Sequence, residues 1–374
     1  MRYLISPDSF KGSISSIDAS LAIANGIKKA DPDAVIHICP MADGGEGTLF
    51  ALTNKEERVK VLTKNSIGNR KYGYIGIKGD RAVVEMAQAV GLDSVKPEER
   101  NPEMSTTYGV GMLIGKAIDK GCRNIILCVG GSGTNDGGAG LLESLGARFF
   151  DKSGKEMTDI RAKDLIDVCE VDFSKAKEKL DGVKITIASD VKNPLLGSNG
   201  ASRIYAPQKG ADPEMVERLE QSLSGYADVL ETKFNVNYRD IPGTGAGGGI
   251  CYSLMFAGNV SIVSGAQAVI SHQRIEEMLS ESDVLITGEG SIDRQSLYGK
   301  TIDVLCKLAQ KKNVPVVIFA GRCLDNDVIT AYPNIKLVRT LIDIAKDKED
   351  SKKHADKYLE MLAELEFKNN GFFN

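Results

Sequence analysis

Carboxylates and lysines recur in this chain just past the ends of short apolar runs, with glycine beside them. Asp8, Ser9 and Lys11 follow a run at 3–6, Asp43 and Glu46 follow 35–39, and Ser132, Asn135 and Asp136 follow 125–129. Glu289 and Asp293 follow 284–287, and Asp325 follows 316–320. A further run, 183–188, leads to Asp190, with Lys192, Asn193 and Lys209 behind it. Oxygen donors and ammonium groups without histidine suit phosphoryl transfer assisted by Mg2+, which takes oxygen ligands and keeps several waters. In that chemistry lysines neutralise the moving charge, one carboxylate accepts the proton of the attacking hydroxyl, and positioning supplies most of the rate. A single loop of this kind reads equally well as a solvated turn or a cap. Recurrence at equivalent positions is what points to a site.

Such loops need elements to hold them. The run at 3–6 precedes a helix near 17–29, with Ile17, Leu21, Ala24 and Ile27 on one face and Ser15-x-x-Asp18 as a capping box. The runs at 125–129 and 284–287 precede helical stretches at 139–145 and 302–310. Strand alternating with helix predicts a parallel sheet, because parallel neighbours need crossovers; such sheets bind ligands outside the carboxyl ends of their strands. The loops are therefore expected to converge on one crevice. Residues 59–91 alternate apolar and polar positions between Gly and Asn turns, which predicts antiparallel strands. Residues 147–265 mix short strands, proline turns and a helix at 213–231. The expected fold class is α/β: a Rossmann-like parallel-sheet domain (1–57, 108–146 and 266–374) with a second, inserted mixed α/β domain (58–107 and 147–265). The tail from 346 predicts a docking helix with Tyr358, Leu362 and Leu365 on one face.

The loop GGSGTNDGGAG at 130–140 packs six glycines into eleven positions. Ordered glycine costs backbone entropy, so something must approach this backbone closely. Gly-rich turns running into helix N-termini offer N–H groups and a positive dipole end, which suits an anion. Tight packing of helix on strand is the other reading. Two better-known phosphate patterns fit poorly. GKT at 299–301 has Arg294 where a P-loop needs glycine. GTGAGG at 243–248 matches G-x-G-x-x-G, but it follows YRDIP and has no acidic residue about twenty positions on. A glycine-rich hinge or anion loop suits it better than a dinucleotide site.

Composition excludes other classes. At 374 residues the chain exceeds one ordinary core, so two domains are expected. A net charge of −4 without a basic block argues against a nucleic-acid partner. The seven cysteines are scattered and never form C-x-x-C, and the three histidines lie far apart, which reads as reduced thiols and no histidine-rich metal centre. Asp8 interrupts the start and no run of about 18 apolar residues exists, so the expectation is a cytoplasmic protein without a membrane partner.

Seven stretches, in order from 6 to 301, carry a resemblance: SPDSFKGS, MADGGEGT, GGSGTNDGGAG, SDVKNPLLGSNGAS, APQKGA, PGTGAGGG and LITGEGSIDRQSLYGKT. Together they resemble the type 1 glycerate kinase family over essentially the whole chain. The resemblance implies ATP-dependent phosphorylation of D-glycerate, with 2-phosphoglycerate as the associated product, on a Rossmann-like domain with a smaller inserted domain. Gly133 stands where alanine is common and Ser189 where cysteine is common; neither change removes a polar group.

On that reading the backbone at 130–140 is bared so that nucleotide phosphates approach its amides, with Gly130, Gly131, Ser132, Thr134, Asn135 and Asp136 binding the nucleotide and Asn135 and Asp136 holding the loop or the waters of the metal. Asp190 is the expected base, from its strand-end position beside a cationic loop, with Asp293 as the alternative. Ser9, Lys11, Asn193 and Lys209 would grip the glycerate carboxylate or the transferring phosphoryl group. Asp43, Glu46 and Glu289 would make water-mediated contacts to Mg2+. A nicotinamide-dependent hydroxy-acid dehydrogenase using 243–248 and a non-catalytic sugar-acid sensor are the rival readings. A homodimer is one option for assembly.

Overall fold

The computed structural model describes residues 1–293, 300–324 and 331–368; Asp325 lies outside them. Its strands open with β1 (Arg2–Ile5), β2 (Val35–Ile38), β3 (Arg58–Lys64), β4 (Arg70–Lys78), β5 (Arg81–Glu85) and β6 (Asn124–Cys128). Then come β7 (Arg148–Phe150), β8 (Glu156–Met157), β9 (Glu170–Asp172), β10 (Lys184–Ala188) and β11 (Asn259–Val263). β12 (Val284–Glu289), β13 (Val316–Ala320) and β14 (Ile335–Thr340) close the series. These divide between two compact units, Met1–Asp43 with Ala266–Asn374, and Gly44–Gly265.

The first unit is built on a wholly parallel sheet in the order β14-β13-β12-β1-β2. Alternate residues Tyr3, Ile5, Val284, Ile286, Val317 and Phe319 enter one core with Ile23 and Ile27 of the helix Ser16–Ala30. Ser15 caps that helix as expected, its Oγ accepting the Asp18 N–H at 3.1 Å. The tail helix Ala355–Lys368 buries Tyr358, Leu359, Leu362 and Ala363 in the same core. Leu365, expected on that face, is 53% exposed, because the buried stripe runs through 358/359 and 362/363 and leaves 365 on the far side. The two helices meet at Gly26, where a Cβ would collide with the Glu360 carbonyl and lie 2.7 Å from the Ala363 Cβ. Gly26→Ala is therefore expected to destabilise this unit by about 1–3 kcal/mol through overpacking. A lowered thermal midpoint checks this; an unchanged one shows that the helices part without strain.

The second unit carries a six-stranded sheet, β11-β10-β6-β5-β4-β3. β5, β6, β10 and β11 are parallel, while β3, β4 and β5 form the antiparallel run expected at 59–91. Ile125, Leu127, Ile185 and Ile187 of its centre pack against Leu113, Leu223 and Leu230 from the helices Tyr108–Asp119 and Pro213–Phe234. A small antiparallel sheet, β8-β7-β9, lies within the 147–265 span.

The division corrects the expected domain boundaries, since 44–57 and 108–146 belong to the second unit. β6 pairs with β5 and β10, not with the N-terminal strands. The helix Tyr108–Asp119 is the crossover from β5 to β6, so 81–128 is one βαβ unit whose strands lie side by side. A glycine loop at a strand end carries no information about which sheet the strand joins. Among the described residues no helix is long and apolar enough to cross a membrane.

Candidate functional site

The sequence-predicted residues fall into two groups, one at the carboxyl edge of each sheet. In the first unit the chain leaves β1 toward β2 and leaves β12 toward β13, on opposite sides, so the order reverses between β1 and β12. Loops diverging at such a point leave a crevice that α/β sheets use for ligands. The loop after β1 runs along the end of β12, with the Ser6 N–H on the Ile286 carbonyl at 2.7 Å and the Asp8 N–H on that of Gly288 at 2.8 Å. Asp8 then places its carboxylate where the Ser9 N–H (2.7 Å) and the Thr301 hydroxyl (2.8 Å) both donate to it. Burial pushes the Asp8 carboxyl above the usual range in spite of those bonds, with the Asp43 carboxylate adding to the rise and Lys11 opposing it. Lys11 Nζ lies 3.4 Å from Asp43 Oδ2 on the exposed rim. Glu289 ends β12, and Asp293 follows the bridge between Ile292 and Cys323.

The second group surrounds the carboxyl ends of β5, β6, β10 and β11. The segment 44–47 bends over this edge and touches it where side chains are missing. A Cβ on Gly44 would lie 2.8 Å from the Ala188 Cβ, and one on Gly130 would lie 2.9 Å from the Gly45 Cα. Glu46 hangs from this roof beside Gly131, whose added Cβ would meet Glu46 Oε2 at 3.3 Å. Glu85, the last residue of β5, is fully buried beneath it and accepts the Gly47 and Leu49 N–H groups at 3.0 Å each. Desolvation raises the Glu85 carboxyl, and the two amide bonds oppose the rise. Asp190, two residues past β10, is exposed, and its Oδ1 accepts the Gly265 N–H at 3.2 Å.

The turn 130–132 stands at the surface of this edge, with Gly131 exposed at φ +66°. It is pinned from behind by the Leu92 N–H on the Gly131 carbonyl and the Gly133 N–H on that of Val90, both at 2.8 Å. Beyond it the chain turns inward, which corrects the expectation that a ligand meets amides along all of 130–140. Thr134, Asn135 and Asp136 are each 0% exposed. Asp136 accepts the Thr107 N–H (2.6 Å), the Thr107 hydroxyl (2.8 Å) and the N–H groups of Gly138 (3.2 Å) and Gly140 (3.1 Å). Asn135 Nδ2 donates to the Ser202 hydroxyl at 3.0 Å, while its buried Oδ1 has no partner among the described residues. The later glycines make room for protein: a Cβ on Gly137 would press on Leu223 and Tyr226, and one on Gly138 on the Ile250 carbonyl.

Lys209 is corrected in the same way. Where a loop lysine gripping the substrate was expected, it is 2% exposed and its Nζ donates to the Thr134 carbonyl at 2.8 Å. Asn193 is engaged at both ends of its amide, by the Asn199 carbonyl (2.7 Å) and the Tyr205 hydroxyl (2.8 Å), and shapes the loop behind Asp190. The glycines of the G-x-G-x-x-G match pack closely against protein, an added Cβ on Gly243 meeting Ile262 and one on Gly245 the Pro194 carbonyl. Gly247, Gly248 and Gly249 are left-handed residues wedged against 134–137, and a Cβ on Gly248 would collide with the Thr134 carbonyl. Among the described residues no three metal-binding side chains cluster, and Asp43 and Glu289 belong to one unit while Glu46 belongs to the other.

Two positions, Thr301 and Glu85, escaped the sequence reading as site residues. Thr301 pairs with Asp8 across 293 positions, a separation that local patterning cannot bridge. Glu85 had a signal: a carboxylate closing the otherwise apolar strand RAVVE.

A family model described as the glycerate kinase family matches residues 3–368. A glycerate kinase of Haemophilus influenzae is 39% identical over 94% of this chain and 96% of its own length. A glycerate 2-kinase of Escherichia coli is 40% identical over 87% of this chain and 86% of its own. Among solved structures, that of a protein provisionally assigned as glycerate kinase 2, from Salmonella typhimurium LT2, superposes with a TM-score of 0.86 at 35% identity, covering 99% of this chain and 98% of that one.

Proposed function

Since this chain belongs to the glycerate kinase family, and is on that ground a kinase, we propose that it moves the γ-phosphoryl group of ATP onto D-glycerate to give 2-phosphoglycerate. The observation that carries this reading is one sheet edge holding both an exposed carboxylate, Asp190, and a surface turn at 130–132 with Gly131 exposed. Asp190 accepts the proton of the attacking hydroxyl, its orientation held by the Gly265 N–H. The 130–132 backbone receives donor phosphate. Ser9 and Lys11, at the reversal point of the other sheet, bind an anionic group, and Asp293 is the alternative base. The name of the Escherichia coli relative supports the 2-position.

Magnesium fits this donor set. The candidate ligands are carboxylates, the oxygen donors that this ion takes alongside waters and phosphates. Asp43 and Glu289 of the first unit, and Glu46 of the second, are each candidates to hold its waters, and when bound it would supply charge neutralisation on the phosphate oxygens.

The test incubates the protein with ATP, Mg2+ and D-glycerate and identifies the product by NMR. ADP with 2-phosphoglycerate is expected; 3-phosphoglycerate overturns the regiochemistry, and no ADP overturns the activity. Thermal shift gives a second check. ATP with Mg2+ at 100 times its Kd is expected to stabilise the native state by about 2.7 kcal/mol, whereas NAD leaves the midpoint unchanged. The reverse pattern favours the dehydrogenase.

A further inference from the structure

We propose that Lys209 is a positioning residue of the phosphate turn: from inside the fold its ammonium holds the Thr134 carbonyl, and through it fixes the backbone of 130–132 for the donor nucleotide. This rests on the assignment of that turn to ATP. Lysine is almost never fully buried unless something requires its charge. Here the directed bond, 2.8 Å, goes to a carbonyl two residues from the turn. The same carbonyl is closed in on another side by Gly248, which has no room for a Cβ. Asp136 supplies the opposite charge without taking the bond, because its oxygens are engaged by Thr107, Gly138 and Gly140. If the site required only filling, an apolar side chain of similar size would serve as well or better. An ammonium in a desolvated position behind an anion-binding turn also acts on that anion far more strongly than one in water.

The charge is conditional. Among the described residues Asp136 is the charged group acting on Lys209; Tyr226, itself coupled to Asp136, places its hydroxyl on Ser253, and Arg100, whose carbonyl abuts Gly210, turns its guanidinium to Asp93. Burial lowers the Lys209 ammonium to about 8, with Asp136 opposing the fall. An unfolded lysine holds its proton to about 10.4, so between those values the folded state binds fewer protons and this group's contribution to stability rises with pH. Affinity lost above pH 8 through Lys209 is therefore not unfolding.

The experiment follows Mg-ATP binding by calorimetry without glycerate, and steady-state kinetics with it, from pH 7 to 9. In the native protein the Kd and KM for ATP are expected to rise about tenfold across that range while kcat at saturating ATP stays within about twofold. Lys209→Met is expected to raise both constants at least tenfold at pH 7 and to flatten their pH dependence. Lys209→Arg, charged throughout, is expected to flatten the profile with weaker loss at pH 7. Native constants that stay flat to pH 9, or a folded Lys209→Met protein with unchanged ATP affinity, overturn the proposal. A fall in kcat with KM unchanged also overturns it, because that is the mark of a group acting on the reacting atoms. The native profile decides the matter even if both variants fail to fold. Absence of ADP with glycerate, alongside intact ATP binding, defeats the glycerate assignment and leaves the Lys209 proposal standing.

Discussion

Asp190→Asn is expected to lower turnover by about 10²–10⁴-fold, the usual contribution of a general base, with the KM values for ATP and D-glycerate within about threefold of native. The substitution is nearly isosteric, and the amide oxygen can still accept the Gly265 N–H that Oδ1 accepts at 3.2 Å, so the loop past β10 keeps its course. What disappears is the capacity to take a proton. The residue is exposed, which removes folding as a competing explanation: surface substitutions usually change stability by no more than about 0.5 kcal/mol. Turnover retained within about threefold rules out Asp190 as the base and moves the assignment to Asp293, for which the same substitution then becomes the decisive measurement.

The largest effect on stability is expected at Asp136. Asp136→Ala deletes the acceptor of four hydrogen bonds, three of them from backbone N–H groups, and leaves Lys209 as a buried charge without its counter-ion. Each buried donor left unsatisfied costs about 1–3 kcal/mol, so the loss of this acceptor is expected to cost at least about 3 kcal/mol. The chain has no tryptophan, so far-UV circular dichroism in urea is the suitable readout, with a midpoint lowered by more than about 1 M. Asp136→Ala combined with Lys209→Met is expected to lie closer to native than Asp136→Ala alone, since the second change removes the stranded charge. A double variant that is the plain sum of the two singles shows that the groups do not interact.

Much of the fold was legible because its signals are local. The apolar runs at 3–6, 125–129, 183–188, 284–287 and 316–320 became β1, β6, β10, β12 and β13, and the alternation at 59–91 became an antiparallel run. Placing β6 in the wrong sheet shows the limit of such signals. Periodicity identifies a strand, whereas its neighbours follow from the crossover through Tyr108–Asp119. The glycines of 130–140 were ambiguous for a similar reason. Missing side chains mean close approach, and the approaching partner turned out to be protein for Gly130, Gly137 and Gly138. Lys209 was misread because a lysine in a Gln-Lys-Gly loop looks solvated until the chain is seen to turn it inward. Asp8 with Thr301 lay beyond local reading, for their pairing exists only once β1 and β12 lie side by side.

Gly44 and Gly265 open and close the second unit, and a Cβ on the first would sit 3.1 Å from the Cα of the second. A polypeptide whose two ends touch encloses no gap, so a short linker joining them adds almost nothing to loop-closure entropy. The span 44–265 is thus a natural candidate for circular permutation, with new termini opened at an exposed turn such as 153–154 and the old ones sealed across a few ångströms. In evolutionary terms, such a body can enter or leave a host gene in a single recombination event.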